Sequence, residues 1–188
     1  MRAYLLLIPA CIVLLLGSAC SAAKPSAEGT YRTTATIKDI MDSMVDPGAD
    51  VLWDSVSSTV DERGITDKAP RTDEEWKNVR RHAIMLLEAT NLLLMPGRHV
   101  AKPGEKADDP KVELSPEQIE ELMNKDKESW VKHAHTLHDK VMVAFNAIEA
   151  KNVEGLFLAG DGIDKACEDC HLQYWYPNEK PQGQAQQK

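Results

Sequence analysis

The residues with the clearest capacity for chemistry stand near the C-terminus, in the stretch ACEDCHLQYWYP. Cys167 and Cys170 are three positions apart, and His171 follows directly. Such a group suits a redox dithiol, part of a zinc site, or two thioether bonds to a haem whose iron the histidine can reach. A structural zinc takes four ligands, usually from two such pairs, and this chain has one pair. An active dithiol usually sits at a helix N-terminus after a strand, and no strand alternation is seen before this pair. C-x-x-C-H is itself the attachment signature of haem c, and that reading is favoured.

The pair must be positioned by a helix. Val153, Leu156, Gly160, Ile163, Cys167, Cys170 and Tyr174 are separated alternately by three and four residues, the spacing of a core-facing seam. Both thiols are expected to face the interior, with His171 on the adjoining edge. Tyr174 continues the seam and is expected to pack against the edge of the haem. Little chain follows His171, so a second iron ligand must come from upstream.

Upstream, the pattern is helical almost throughout. Ile37, Ile40, Met41, Met44, Val51, Leu52 and Val56 fit a first helix that Pro47 and Gly48 must kink or split. The stretch DERGITDKAPR reads as a turn. Thr72 and Glu75 form a capping box that opens a second helix, with a stripe of Trp76, Val79, Ala83, Leu86, Leu87, Leu93 and Leu94, and Pro96-Gly97 stops it. A long polar connection follows. Ser115-Pro116-Glu117 starts a third helix striped by Ile119, Leu122, Met123, Trp130, Ala134, Leu137, Val141, Ala144 and Ile148. A fourth begins near Asn152. The pattern predicts an all-α fold, a four-helix up-down bundle over residues 35–176 with haem c held at the last helix.

In such a bundle the first and last helices run antiparallel. At 1.5 Å per residue, His171 lies about 5 Å inside one end of the last helix. With a first helix starting near Ala35, Met41 lies about 9 Å in and Met44 about 13 Å. Met41 is therefore the expected distal ligand and Met44 the alternative. The competing reading makes both methionines flexible core fillers.

A helical bundle with CEDCH on its last helix, continuing as CHLQY, resembles the class II c-type cytochromes: cytochrome c-prime and its low-spin relatives. The resemblance covers essentially all the mature chain, with CEDCHLQY its specific part, and implies one covalent haem, His171 as proximal ligand and electron transfer. Low-spin relatives draw a methionine from this part of the first helix. High-spin members leave the distal side open to nitric oxide or carbon monoxide, which is the alternative function. A thiol oxidoreductase using Cys167 and Cys170 is a third. No constellation for substrate turnover is present. Where the family often has a basic residue after the tyrosine, this chain has Trp175; the long loop and Pro47 depart as well.

The N-terminus reads as an export signal over residues 1–19: Arg2, then an apolar run from Leu5 to Leu16, then Gly17-Ser18-Ala19. LLGSAC is similar to a lipoprotein box, which would make Cys20 a lipidated first residue; cleavage after Ala23 would remove it instead. Residues 20–34 read as a tether and 177–188 as a disordered tail. The expected location is the bacterial periplasm, soluble or lipid-anchored. The formal charge is -8, and the mature chain has no basic cluster, which argues against nucleic acid as a partner. Redox partner proteins are expected, and an oligomer is open. His135 and His138 could share a metal, but an exposed polar face is the better reading. His82 and His99 are the alternative iron ligands, with packing or exposure the simpler account.

Overall fold

The computed structural model describes residues 31–179. The export signal, Cys20, most of the tether and the last part of the tail lie outside that range. The described chain is mainly α-helical. Among its described residues, no helix is long and apolar enough to cross a membrane.

The first helical run has three parts: α1 (Ile37–Ile40), a π-helical turn (Met41–Val45) and α2 (Asp46–Asp54). Thr36 caps it, accepting from the Asp39 N–H while its own N–H donates to the Asp39 carboxylate. The kink expected at Pro47 takes the form of that π turn just before it. Proline has no N–H, and its ring crowds the carbonyl four residues back, at Ser43. Widening the preceding turn relieves the crowding: the Asp46 N–H reaches past to the Met41 carbonyl.

The long helices follow as α3 (Asp73–Leu93), α5 (Lys127–Glu149) and α6 (Val153–Tyr174), with a shorter α4 (Pro116–Lys125). The Thr72–Glu75 capping box forms as read, and Ser115 with Gln118 makes another at α4. The stripes drawn from the sequence become the core: Leu86, Val141 and Ile163 are completely buried, with Ile40, Leu52 and Val79 beside them. Packing runs from α2 to α3, α3 to α5, α5 to α6 and α6 back to α2, closing a ring around that core.

Three sequence expectations are corrected. The mainly α chain also carries one small sheet among the described residues. Ser57–Asp61 (β1) and Gly64–Lys68 (β2) pair as an antiparallel hairpin where only a turn was expected. Every hairpin residue is exposed, so neither face is buried and no alternation marks it in sequence. Local chemistry makes the turn: Arg63 donates backbone and side-chain hydrogen bonds to Asp61, and Gly64 takes φ +121°. The expected third helix is broken at Asp126, whose φ of -135° and ψ of 73° end α4. Its carboxylate caps α5 by accepting from the Ser129 N–H at 2.9 Å. Val153, placed on the core seam, is exposed at the start of α6.

The polar connection 98–114 is more than a surface link. The first turn of α1 leaves N–H groups free, and carbonyls of this loop take two of them: Ile37 N–H to His99 and Lys38 N–H to Val100, both at 2.9 Å. Arg98 donates to the Leu92 and Ala35 carbonyls, and Val100 is buried. At the loop's far end, the Leu114 N–H donates to the Trp175 carbonyl at 2.8 Å.

Candidate functional site

Cys167, Cys170 and His171 lie in the last turns of α6, and both cysteines are free thiols. Each is half-buried against the core. Burial, with the charges of Asp46 and Asp164, pushes the Cys167 thiol up to about 12. Burial, with its neighbour Cys167, pushes Cys170 up to about 12. Both therefore stay protonated, which suits apolar surroundings and disfavours the thiolate that dithiol exchange needs.

Two neighbouring hollows lie beside this turn. The inner one is lined by Met41, Val45, Leu137, Ala166, Cys167 and Cys170, among others, with His171 at its edge. The outer one runs from Met41, Cys170 and His171 to the loop 98–114 and encloses about 850 Å³ of space continuous with solvent. Met41, Asp46, Trp130, Cys170 and His171 border both. This cleft region lies between the start of the first helical run and the end of the last, with the loop along one side.

Met41 faces this cleft, and Met44 does not line it. The π turn spreads the residues after Met41 over a wider arc, so Val45, fully buried, takes the inward place that regular α spacing offered Met44. Met44 packs at the margin of the core.

His171 is half-buried, and burial pulls its imidazole below the ordinary value against the upward pull of Glu168. The neutral ring is the form that can donate a lone pair. Its ring is bracketed edge-on by Trp175, with centroids 4.9 Å apart, and by Tyr176 at 5.7 Å. Tyr174 is buried, meeting Trp130 edge-on at 5.3 Å and His133 at 5.8 Å. Its hydroxyl is buried near the Ser129 side chain, and the residue borders the outer hollow.

The other histidines sort differently. His82 is engaged with the Asn78 carbonyl at 2.9 Å, and His99 is exposed beside Glu120; neither lines the cleft. His135 is exposed, and among the described residues no group of three or more His, Cys, Asp or Glu side chains is placed to hold a metal ion. His133, passed over in the sequence, does border the inner hollow; its Nε2 pairs with Gln173 Oε1 at 2.8 Å. Its place three residues after the inward Trp130 was the available signal. Asp46 was passed over as well. Partial burial beside the cleft, with the charges of Asp42 and Asp50, pushes its carboxyl upward.

Two adjacent neutral thiols, an imidazole and a thioether border the same inner hollow, a donor set whose chemistry suits a haem. No protein-family model matches this chain, and neither curated proteins nor solved structures provide a match.

Proposed function

We propose that this chain is an exported one-haem c-type cytochrome, a four-helix bundle that carries haem c on α6 and serves as an electron-transfer carrier. One observation carries the reading: Met41 from the first helical run and Cys167, Cys170 and His171 from the last line a single cleft. Cys167 and Cys170 would hold the group covalently, with His171 as the proximal and Met41 as the distal donor to its iron. Bound there, haem supplies a reversible one-electron iron couple.

The chain's own residues supply the rest. Val45, Leu137 and Ala166 keep water from the inner side of the cleft, and a low local dielectric favours a neutral thioether and a neutral imidazole as donors. Neither donor needs to lose a proton to bind iron. Lys38, Lys106, Asp42 and Asp108 place mixed charge around the outer mouth, where polar groups of the cofactor or a docking partner would meet solvent. The acidic surface suits a basic redox partner. Burial of the thiols weighs against the oxidoreductase reading. A cleft-facing methionine weighs against the gas-binding one.

Mass spectrometry of the purified mature chain tests the proposal together with its oxidised and reduced visible spectra. A polypeptide heavier by one haem, with no alkylatable thiol at Cys167 or Cys170, is expected. Two alkylatable thiols there would overturn it. A haem-bearing chain with a high-spin spectrum would transfer the function to gas binding.

A further inference from the structure

We propose that Glu168 and Tyr176 form a hydrogen-bond relay that fixes the tautomer and orientation of His171, so that its Nε2 is the free donor atom. The relay's effect on iron rests on the reading of His171 as the proximal ligand; its geometry does not.

Glu168 is one of the two residues between the cysteines, three before His171, and therefore shares its face of α6. Tyr176 lies beyond the helix end at Tyr174 and reaches the same face because the chain folds back. The His171 carbonyl accepts from both the Trp175 N–H at 2.8 Å and the Tyr176 N–H at 3.0 Å. The Leu114 bond to Trp175 clamps this turn from the loop side. The Tyr176 hydroxyl lies 2.7 Å from Glu168 Oε2 and 3.3 Å from His171 Nδ1, and all three side chains are half-buried.

The directions follow from the inventory of donors. A carboxylate can only accept, so Tyr176 spends its single proton on Glu168. The hydroxyl oxygen can then only accept from His171, which places the ring proton on Nδ1. In the neutral ring, Nε2 is left with the lone pair. A metal-binding histidine ordinarily donates its other N–H to such a partner, which fixes the ring and raises its basicity. Here the acceptor is a tyrosine made electron-rich by a carboxylate behind it. A more basic imidazole stabilises the higher oxidation state, so the relay lowers the reduction potential. Glu168 and Tyr176 are positioning residues: they act through His171.

The test compares wild type, Tyr176→Phe, Glu168→Gln and the double variant as purified full-length mature proteins, after mass spectrometry has established whether haem is attached. In the haem-bearing protein the midpoint potential should rise in Tyr176→Phe and rise less in Glu168→Gln. In the Tyr176→Phe background, adding Glu168→Gln should have little further effect, because the relay is already cut. An equal rise from Glu168→Gln with or without the tyrosine would mean a through-space charge effect and would overturn the relay. Nitrogen NMR of the His171 ring reads the tautomer directly in the chain produced without haem, because iron on Nε2 would by itself leave the proton on Nδ1. A proton on Nδ1 in wild type, lost to a mixture in Tyr176→Phe, upholds the relay even if the haem reading has failed. A proton on Nε2 in wild type overturns it. Should Tyr176→Phe not fold, the wild-type tautomer and the Glu168→Gln potential decide on their own.

Discussion

Met41→Leu and Met44→Leu separate a distal ligand from a core filler. With α1 beginning at Ile37, Met41 stands about 6 Å inside the first helical run and Met44 about 10 Å, at 1.5 Å per residue. His171 stands about 4.5 Å from the end of α6 at Tyr174. The two ends lie beside each other, since Ile37 and Lys38 border the same outer hollow as Tyr174 and Trp175. Met41 thus matches His171 in depth and lines the same cleft, whereas Met44 does neither. Leucine conserves volume, so either replacement should cost less than about 1.5 kcal/mol, against a total of about 5–15 kcal/mol for a domain. Both variants should therefore fold, and a spectral change can be read as ligation. Met41→Leu should lose the weak far-red absorption of the oxidised protein, become high-spin and bind carbon monoxide readily. Met44→Leu should keep the wild-type spectrum. The reasoning is refuted if Met44→Leu makes the conversion, since the π turn would then have been misjudged, or if neither does.

Replacing His171 with alanine should leave haem attached, provided maturation succeeds, while removing the histidine-ligated spectrum; an unchanged spectrum would refute the proximal assignment. Leu86→Ala truncates a completely buried side chain, and denaturant titration should show a loss of about 2–5 kcal/mol. Asp39 gives a pH signature. The Lys102 ammonium at 2.8 Å and the Thr36 N–H and hydroxyl hold its carboxyl at about 2, below the 3.8 of a free side chain. A depressed carboxylate stabilises the fold fully above the unfolded value, and that contribution is lost as pH falls through the folded one. Asp39→Asn should accordingly be less stable than wild type near neutrality, with the gap closing between about pH 4 and pH 2. A gap that stays constant down to pH 2 would remove Asp39 from the account of the α1 cap.

The helical core was legible because burial at three- and four-residue spacing leaves a repeating mark: Trp76 to Leu93, Trp130 to Ile148 and Leu156 to Tyr174 were all written that way. Capping chemistry was legible at Thr72 for the same local reason. What escaped lacks either mark. The hairpin buries nothing, so its strands resemble a polar turn. Asp126 interrupts a polar stretch where helix and break differ only in one side-chain bond. The role of the loop 98–114 depends on carbonyls meeting N–H groups some sixty residues away, which no local pattern encodes. The donors Cys167, Cys170 and His171 could be named from their motif, but Glu168 and Tyr176 become partners only through the fold-back after Tyr174.

That distinction bears on how the two sides of the cleft behave. Cys167, Cys170 and His171 share consecutive turns of one helix, so their mutual placement is set by helix geometry and by the Tyr176 turn. Met41 has no such covalent tie. Its reach toward the cleft depends on the π turn that Pro47 imposes, on the Thr36 cap, and on the loop that binds the first turn of α1. Under the haem reading, the distal side is therefore the adjustable one. A change that regularised the π turn or released His99 and Val100 would withdraw Met41 while leaving attachment and the proximal ligand intact. Electron carrier and gas binder then differ by one thioether, held in place by a π turn and two loop hydrogen bonds.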